Sequence, residues 1–257
     1  MSSRSLSPHQ LVVSCEHASN RLPARYGTLG LPRRRLSSHI AWDAGARGVA
    51  RYCASRLGCA FHAGRYSRLL IDLNRSLHHP KLIPQESFGV RVPYNVGISE
   101  DERWARIRRY YEPYRSRIFR DIEHVIGRYG TCVHLSVHSF TPRLARQLRR
   151  ADIGILYDPR RPLESQLARW LTADLKERGY HTRRNYPYRG TSDGFTTYCR
   201  GVFPASAYLG IEIEINQARL ERSSRLARIT SAVADCVNTA LLAGPWPALA
   251  RRFRAPG

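Results

Sequence analysis

The chain predicts an α/β domain, a largely parallel or mixed sheet covered by helices on both faces. Two observations carry this. Short apolar runs such as LVVSC, CVHLSV, IGILY and YLGIEIEI alternate along the chain with amphipathic segments of helical period. Strands alternating with helices are how sheets with crossover helices are built. The length of 257 residues, with 42% hydrophobic and 10% aromatic residues, is enough to bury a substantial core in one domain. No linker, internal repeat or low-complexity stretch divides it, so residues 1–257 are expected to form a single domain with its core at about 11–243.

The elements follow in order. Leu11–Cys15 reads as a buried strand that runs into Glu16-His17. A turn needs neither a carboxylate nor an imidazole, whereas a site at the carboxyl end of a strand uses both. A loop rich in Pro, Gly and Arg follows, and 42–57 has helical spacing. RLLIDL at 68–73 reads as a second strand. Residues 74–97 read as irregular, with Pro80, Pro84 and Pro93, and loops this long are commonly functional or mobile. Ser99 and Glu102 predict a capping box. It starts a helix to about Arg128, bent near Pro113. Residues 132–137 and 153–157 read as strands, 163–178 as an amphipathic helix closed by Gly179, and 181–185 as a short strand. Residues 208–215 read as a clear strand and 218–242 as the last helix. A basic tail of little order is expected at 244–257.

The formal charge is +22, from 42 Lys and Arg against 20 Asp and Glu, and the only lysines are Lys81 and Lys176. The arginines are spread, with RRR at 33–35 and RR at 149–150 and 251–252. No recognition-helix or RNP-type motif accompanies them. A solvated arginine-rich surface is therefore preferred over a nucleic-acid-binding protein, the alternative of a different class. A pocket for a small anionic substrate needs only one or two of these arginines. The six cysteines (15, 53, 59, 132, 199, 236) contain no CxxC and are expected to be reduced thiols of a cytoplasmic protein. MSSRSLSPHQ lacks the apolar segment of a leader, and no apolar run approaches the ~20 residues of a membrane span. A homo-oligomer is compatible with the sequence.

The strand ends carry the chemistry. They supply Glu16-His17, then Asp72-Leu-Asn74-Arg75, then His138-Ser139, while the late strand carries Glu212 and Glu214. Two histidines and carboxylates at neighbouring strand ends suit zinc, with His17 and His138 as ligands and one position kept for water. Such water becomes a nucleophile near neutral pH, and a carboxylate can relay its proton. Glu212 and Glu214 share one strand face, opposite Ile211, Ile213 and Ile215. Either the strand is an edge with a wet face, or one carboxylate reaches the site and the other pairs with an arginine.

The segments CEHASNRLP (15–23), HIAWDAGA (39–46), YSRLLIDLNRS (66–76), SVHSFTP (136–142), DIGILYD (152–158), NYPYRGTSDG (185–194) and IEIEINQ (211–217) resemble the N-formylglutamate amidohydrolase family, in the family's order. The resemblance implies a three-layer α/β/α sandwich with a mixed, mostly parallel sheet, similar to zinc carboxypeptidases and zinc amidases. It implies Zn(II)-dependent hydrolysis of an N-acyl amino acid, in the parent case N-formyl-L-glutamate to formate and L-glutamate in bacterial histidine breakdown. Carried over by position, His17, Asp43 and His138 are the metal ligands, with Glu16 as the rival to Asp43. Glu214 is the general base and Glu212 its fallback. Arg75 is the substrate arginine. Arg68 either shares that role or pairs with Asp72, and Asn74 and Ser139 are supporting polar groups. CEHASN stands where other members have PHSG, SVHS where they have DLHS, and Tyr186 where many have an acid. These departures bear on which N-acyl amino acid, or which peptide-like amide, is cleaved.

Overall fold

The computed structural model describes residues 6–145 and 147–244, so the tail expected beyond Gly244 lies outside the described residues. In chain order the strands are β1 (Leu11–Cys15), β2 (Ala60–Ala63), β3 (Glu86–Ser87), β4 (Val90–Arg91), β5 (Cys132–Phe140), β6 (Arg143–Leu144), β7 (Gln147–Leu148), β8 (Ile153–Leu156), β9 (Thr182–Arg184) and β10 (Tyr208–Asn216). The helices are α1 (Arg33–Leu36), α2 (Ala46–Leu57), α3 (Glu100–Arg106), α4 (Glu112–Tyr129), α5 (Pro162–Glu177), α6 (Phe195–Val202) and α7 (Ser223–Ala243).

Six strands form the main sheet in the order β2-β1-β5-β10-β8-β9. β2, β1, β5 and β10 run parallel. β8 pairs antiparallel to β10 and carries β9 parallel to itself. The sheet is thus mixed and mostly parallel, as expected. Alternation along each strand separates its two faces. Leu11, Val13, Cys15, Leu135, Val137, Ile211, Ile213 and Ile215 pack on one face with α2, α5 and α7 residues such as Val49, Leu171 and Val233. Burying an aliphatic side chain of this kind is worth ~1.5–3 kcal/mol, so this layer is a main source of stability. On the other face α4 and α6 bring Ile118, Ile122, Phe195 and Cys199 against Val12 and Tyr208. Helix layers on both faces complete the α/β/α sandwich. α7 is long and apolar enough to cross a membrane by length and composition. Here Ile229, Val233, Val237 and Leu241 join the core, which makes it a core helix.

Several elements differ from the sequence reading. Residues 68–73 are not a strand. Leu69, Leu70, Ile71 and Leu73 are buried in a separate cluster under the loops, with Leu29, Ile40 and Leu82. Their backbone is satisfied by turns, Leu70 N–H donating to Ser67 O at 3.0 Å and Asp72 N–H to Leu82 O at 2.7 Å. An apolar run reports burial, and here the burial is not in the sheet. The first long helix begins at Ala46 rather than at 42, because Gly45 adopts φ +81°. β2, in the short stretch AFHA beside glycines, had no clear period to reveal it. The capping box is half made. Ser99 Oγ accepts from Glu102 N–H at 3.2 Å, while Glu102 itself binds Arg106 Nε at 2.6 Å. The break expected near Pro113 is a π-turn over Ile107–Tyr111 that joins α3 to α4. The final helix starts at Ser223, after a short 3-10 turn at Gln217–Arg219.

Candidate active site

The α4/α6 face of the sheet carries a polar strip at its centre. It exists because β1, β5 and β10 alternate polar and apolar residues in phase. Register pairs Ser14 with Ser136, Glu212 with Ser136, and Glu214 with His138. Ser14 Oγ lies 2.8 Å from His134 Nε2, and Tyr208 Oη lies 2.8 Å from His134 Nδ1. Further along, Ser136 Oγ donates to Glu16 Oε2 at 2.6 Å. The strip opens at the carboxyl ends of β1, β5 and β10 into a cavity of about 430 Å³.

Three buried groups converge at its floor. One donor atom each from His17, Asp43 and His138 lies within 4.8 Å of the others. Asp43 Oδ2 is 3.3 Å from His17 Nδ1 and 2.8 Å from His138 Nδ1. The far nitrogens are held from behind. His17 Nε2 lies 2.7 Å from Asp72 Oδ1, and His138 Nε2 lies 3.2 Å from Glu16 Oε2 and 2.9 Å from Ser136 Oγ. A carboxylate stands behind each ring at Nε2, the kind of partner that orients a metal-binding histidine, and Nδ1 of both rings faces Asp43. Loop hydrogen bonds fix the set: Asp43 N–H donates to His17 O at 3.0 Å and Arg68 N–H to Ala41 O at 3.2 Å.

The electrostatics point the same way. Glu16, Asp43, Asp72, Glu212 and Glu214 are all buried around two imidazoles and Arg68. Burial alone would raise the Asp43 carboxyl, but His17 and His138 outweigh it and hold it well below the usual carboxylate range. Burial would likewise raise Asp72, which His17 and Arg68 bring far down. Burial and Arg68 push His17 down, yet Asp72 and Asp43 leave it raised. His138, also opposed by burial, is lifted well above its ordinary value by Asp43 and Glu16. The excess negative charge stabilises any positive charge placed among the rings, whether proton or metal ion. Two imidazoles and one carboxylate form a donor set that fits a zinc ion. Glu214 differs from its neighbours. Burial raises its carboxyl to about 7 against the pull of His138, with Asp43 and Glu212 adding repulsion. Its Oε2 is buried and has no hydrogen-bond partner among the described residues.

The other expected residues fall around this centre. β10 is an interior strand, not a wet edge. Glu212 is held by the Thr196 hydroxyl, which donates to its Oε1. Arg68 bridges the two acids, 3.0 Å from Asp72 and 3.5 Å from Asp43. Arg75 lines the cavity while donating to Asp193 O at 3.0 Å. Asn74 Oδ1 accepts from Phe195 N–H at 2.8 Å, and its Nδ2 is 3.5 Å from His138 Nε2. Ser139 Oγ donates to Ala44 O at 2.9 Å and accepts from Gln217 Nε2 at 3.2 Å. Glu16 stands behind His138, whereas Asp43 lies between the two rings. Sequence reasoning passed over Asp72 as the acid behind His17. It also passed over Lys81, Tyr188 and Arg189, which reach the cavity from irregular segments. The 185–194 segment can lie against the sheet because glycines meet it. A Cβ on Gly154 would sit 1.7 Å from Tyr186 O, and one on Gly190 2.2 Å from Tyr157 N.

Comparison with curated proteins gives no match. Among solved structures, the chain is similar to gene product Atu2144 from Agrobacterium tumefaciens, with 31% identity and a TM-score of 0.79 over 93% of this chain and 91% of that one. It also shares its fold with an N-formylglutamate amidohydrolase from Ralstonia eutropha JMP134, with 24% identity and a TM-score of 0.66 over 92% of this chain and 93% of that one. The model of the N-formylglutamate amidohydrolase family matches residues 9–220. That match runs from before His17 to beyond Glu214, and the chain belongs to the N-formylglutamate amidohydrolase family, a family of amide-bond hydrolases.

Proposed function

We propose that the chain hydrolyses the amide bond of a small anionic N-acyl amino acid with a zinc ion held by His17, Asp43 and His138. N-formyl-L-glutamate, giving formate and L-glutamate, is the reference substrate. The observation that supports this most directly is the pairing of that donor set with Glu214, whose Oε2 is buried and unpartnered in the same cavity. A bound zinc ion supplies Lewis acidity toward the acyl oxygen and toward water.

The chain's own residues do the rest. Asp72 and Glu16 keep the two rings turned with Nδ1 inward. Glu214 takes the proton of the attacking water at Oε2 and gives it to the departing amine nitrogen. A carboxyl raised to about 7 suits both halves of that relay, since it exchanges a proton readily near neutral pH. Glu212, tied to Thr196, lies close to Glu214 and adds repulsion that helps hold that carboxyl high. Arg75 faces the cavity and can take a substrate carboxylate through two parallel hydrogen bonds.

The test is metal content measured together with formate release from N-formyl-L-glutamate. About one zinc per chain, with release abolished by a chelator and restored by zinc, is the expected result. His138→Ala is expected to lose both metal and activity. Glu214→Gln is expected to keep the metal and lose about 10²–10⁴-fold in kcat, the range of general acid–base catalysis. Full turnover by Glu214→Gln, or by protein stripped of metal, overturns the proposal.

A further inference from the structure

The cavity of about 430 Å³ around the donor set is of the size that takes drug-sized ligands. N-formyl-L-glutamate is much smaller and, apart from its short methylene stem, polar throughout. The lining is mixed. It holds the cations Arg75, Lys81 and Arg189 beside the acids Glu86 and Asp193, and it also holds the apolar side chains of Phe88, Leu144 and Tyr188 with Pro84, Phe140 and Leu156. A polar, doubly anionic substrate uses the cations and leaves the apolar side chains uncovered.

β3 and β4 pair Glu86 with Arg91 and Ser87 with Val90, so Phe88-Gly89 is a two-residue hairpin turn. Both residues have positive φ, +49° and +76°. That is the backbone of a type I′ turn, where Asn-Gly or Gly-Gly is usual. A bulky side chain is disfavoured there. The root of the hairpin is anchored, Ser87 Oγ donating to Ile40 O at 3.0 Å and Val92 N–H to Gln85 O at 2.8 Å. The Phe88 ring meets His39 edge-on at 5.0 Å, yet the residue is 43% exposed and lines the cavity. The contact with His39 leaves much of this phenylalanine uncovered in a strained turn, and contact with a ligand would cover it. Tyr188 supplies a second exposed ring in the same cavity. It is held in place by Arg149, whose guanidinium lies 5.2 Å from the ring centroid and donates to the hydroxyl at 3.3 Å.

We propose that Phe88, Leu144 and Tyr188 form a subsite for a bulky apolar or aromatic group. The substrate is then an N-acyl amino acid larger than N-formyl-L-glutamate, with its carboxylate toward Arg75, Lys81 and Arg189. This deepens the amidohydrolase reading of the same site and rests on it. The apolar group belongs either to the amino acid or to the acyl part, and the choice of substrates separates these.

The experiment measures kcat/KM of the zinc-loaded protein with N-formyl-L-glutamate, N-formyl-L-phenylalanine and N-phenylacetyl-L-glutamate, for wild type and Phe88→Gly. Glycine suits the positive φ, so the variant keeps the turn. One aromatic substrate is expected to exceed N-formyl-L-glutamate by about tenfold, and that ratio to fall about tenfold in Phe88→Gly, chiefly through KM. Preference for N-formyl-L-phenylalanine puts the apolar group on the amino acid, and preference for N-phenylacetyl-L-glutamate puts it on the acyl part. If N-formyl-L-glutamate is best and Phe88→Gly leaves the ratios unchanged, the subsite is wrong and the amidohydrolase reading stands. Hydrolysis of none of the three sinks the reaction instead, and the subsite is then decided by calorimetric titration of the same compounds. Aromatic compounds that bind no tighter than N-formyl-L-glutamate, or whose binding ignores Phe88→Gly, overturn it.

Discussion

His17 and His138 each have a carboxylate at the back, and this pairing sets what single substitutions do. Asp72→Asn keeps a hydrogen-bond acceptor behind His17 but removes the charge that orients and enriches the ring. Zinc affinity is expected to weaken about 10–100-fold, measured by competition with a chromophoric chelator. An unchanged affinity would make Asp72 a partner of Arg68 alone. That His17 and His138 belong to one polar centre was legible because a strand that ends on an imidazole has no folding reason to do so. The placing of Glu214 beside them was legible because alternation put it opposite three isoleucines. Asp72 was visible as an acid near the site and as a partner for Arg68, but not as the partner of His17, since that contact depends on a loop crossing that no local spacing encodes. Lys81 and Arg189 were hidden for a different reason. In a chain with 42 basic residues, a cation that reaches the cavity looks like any other.

At the scale of elements, β5 sets His134, Ser136 and His138 on one face and packs Leu135 and Val137 on the other. His134 is buried deepest, and burial lowers its pKa to about 4 despite the nearby Glu16. In the unfolded chain it titrates near 6.5. Between those values the unfolded state binds the extra proton, so this contribution is complete above about pH 6.5 and is lost as the pH falls toward 4. The full loss is at most about 3.5 kcal/mol. Urea midpoints at about pH 7 and about pH 4.5 are expected to drop further for wild type than for His134→Gln, and equal drops would place the acid sensitivity elsewhere. The strands were well read wherever alternation or length gave a period. The reading failed at 68–73 because burial in the loop-side cluster produces the same apolar run as burial in a sheet. It failed at the start of α2 because the turn before Gly45 carries Trp42 and Ala44, which fit a helical pattern equally well.

For the molecule as a whole, a chain with a net charge of +22 encloses a centre crowded with carboxylates. A surface this basic draws in anionic substrates from a distance, and salt screens the attraction. For N-formyl-L-glutamate, kcat/KM is expected to fall severalfold between about 20 and about 200 mM salt, mostly through KM, whereas a neutral ester analogue changes little. Equal salt effects on both would assign the charge to some other task. The three-layer plan was legible because β–α alternation is a property of the whole chain and survives local errors.

The order of the sheet has a consequence for how the protein is made. β10 lies between β5 and β8, yet it is the last of the six to leave the ribosome. Until it emerges, the nascent chain exposes two unpaired inner edges, each a template for joining another chain. Glu212 and Glu214 are also still missing at that point. A fragment ending near residue 205 is therefore expected to carry His17, Asp43 and His138 but to accumulate as aggregate, and a transcript cut short there yields waste rather than a half-working enzyme.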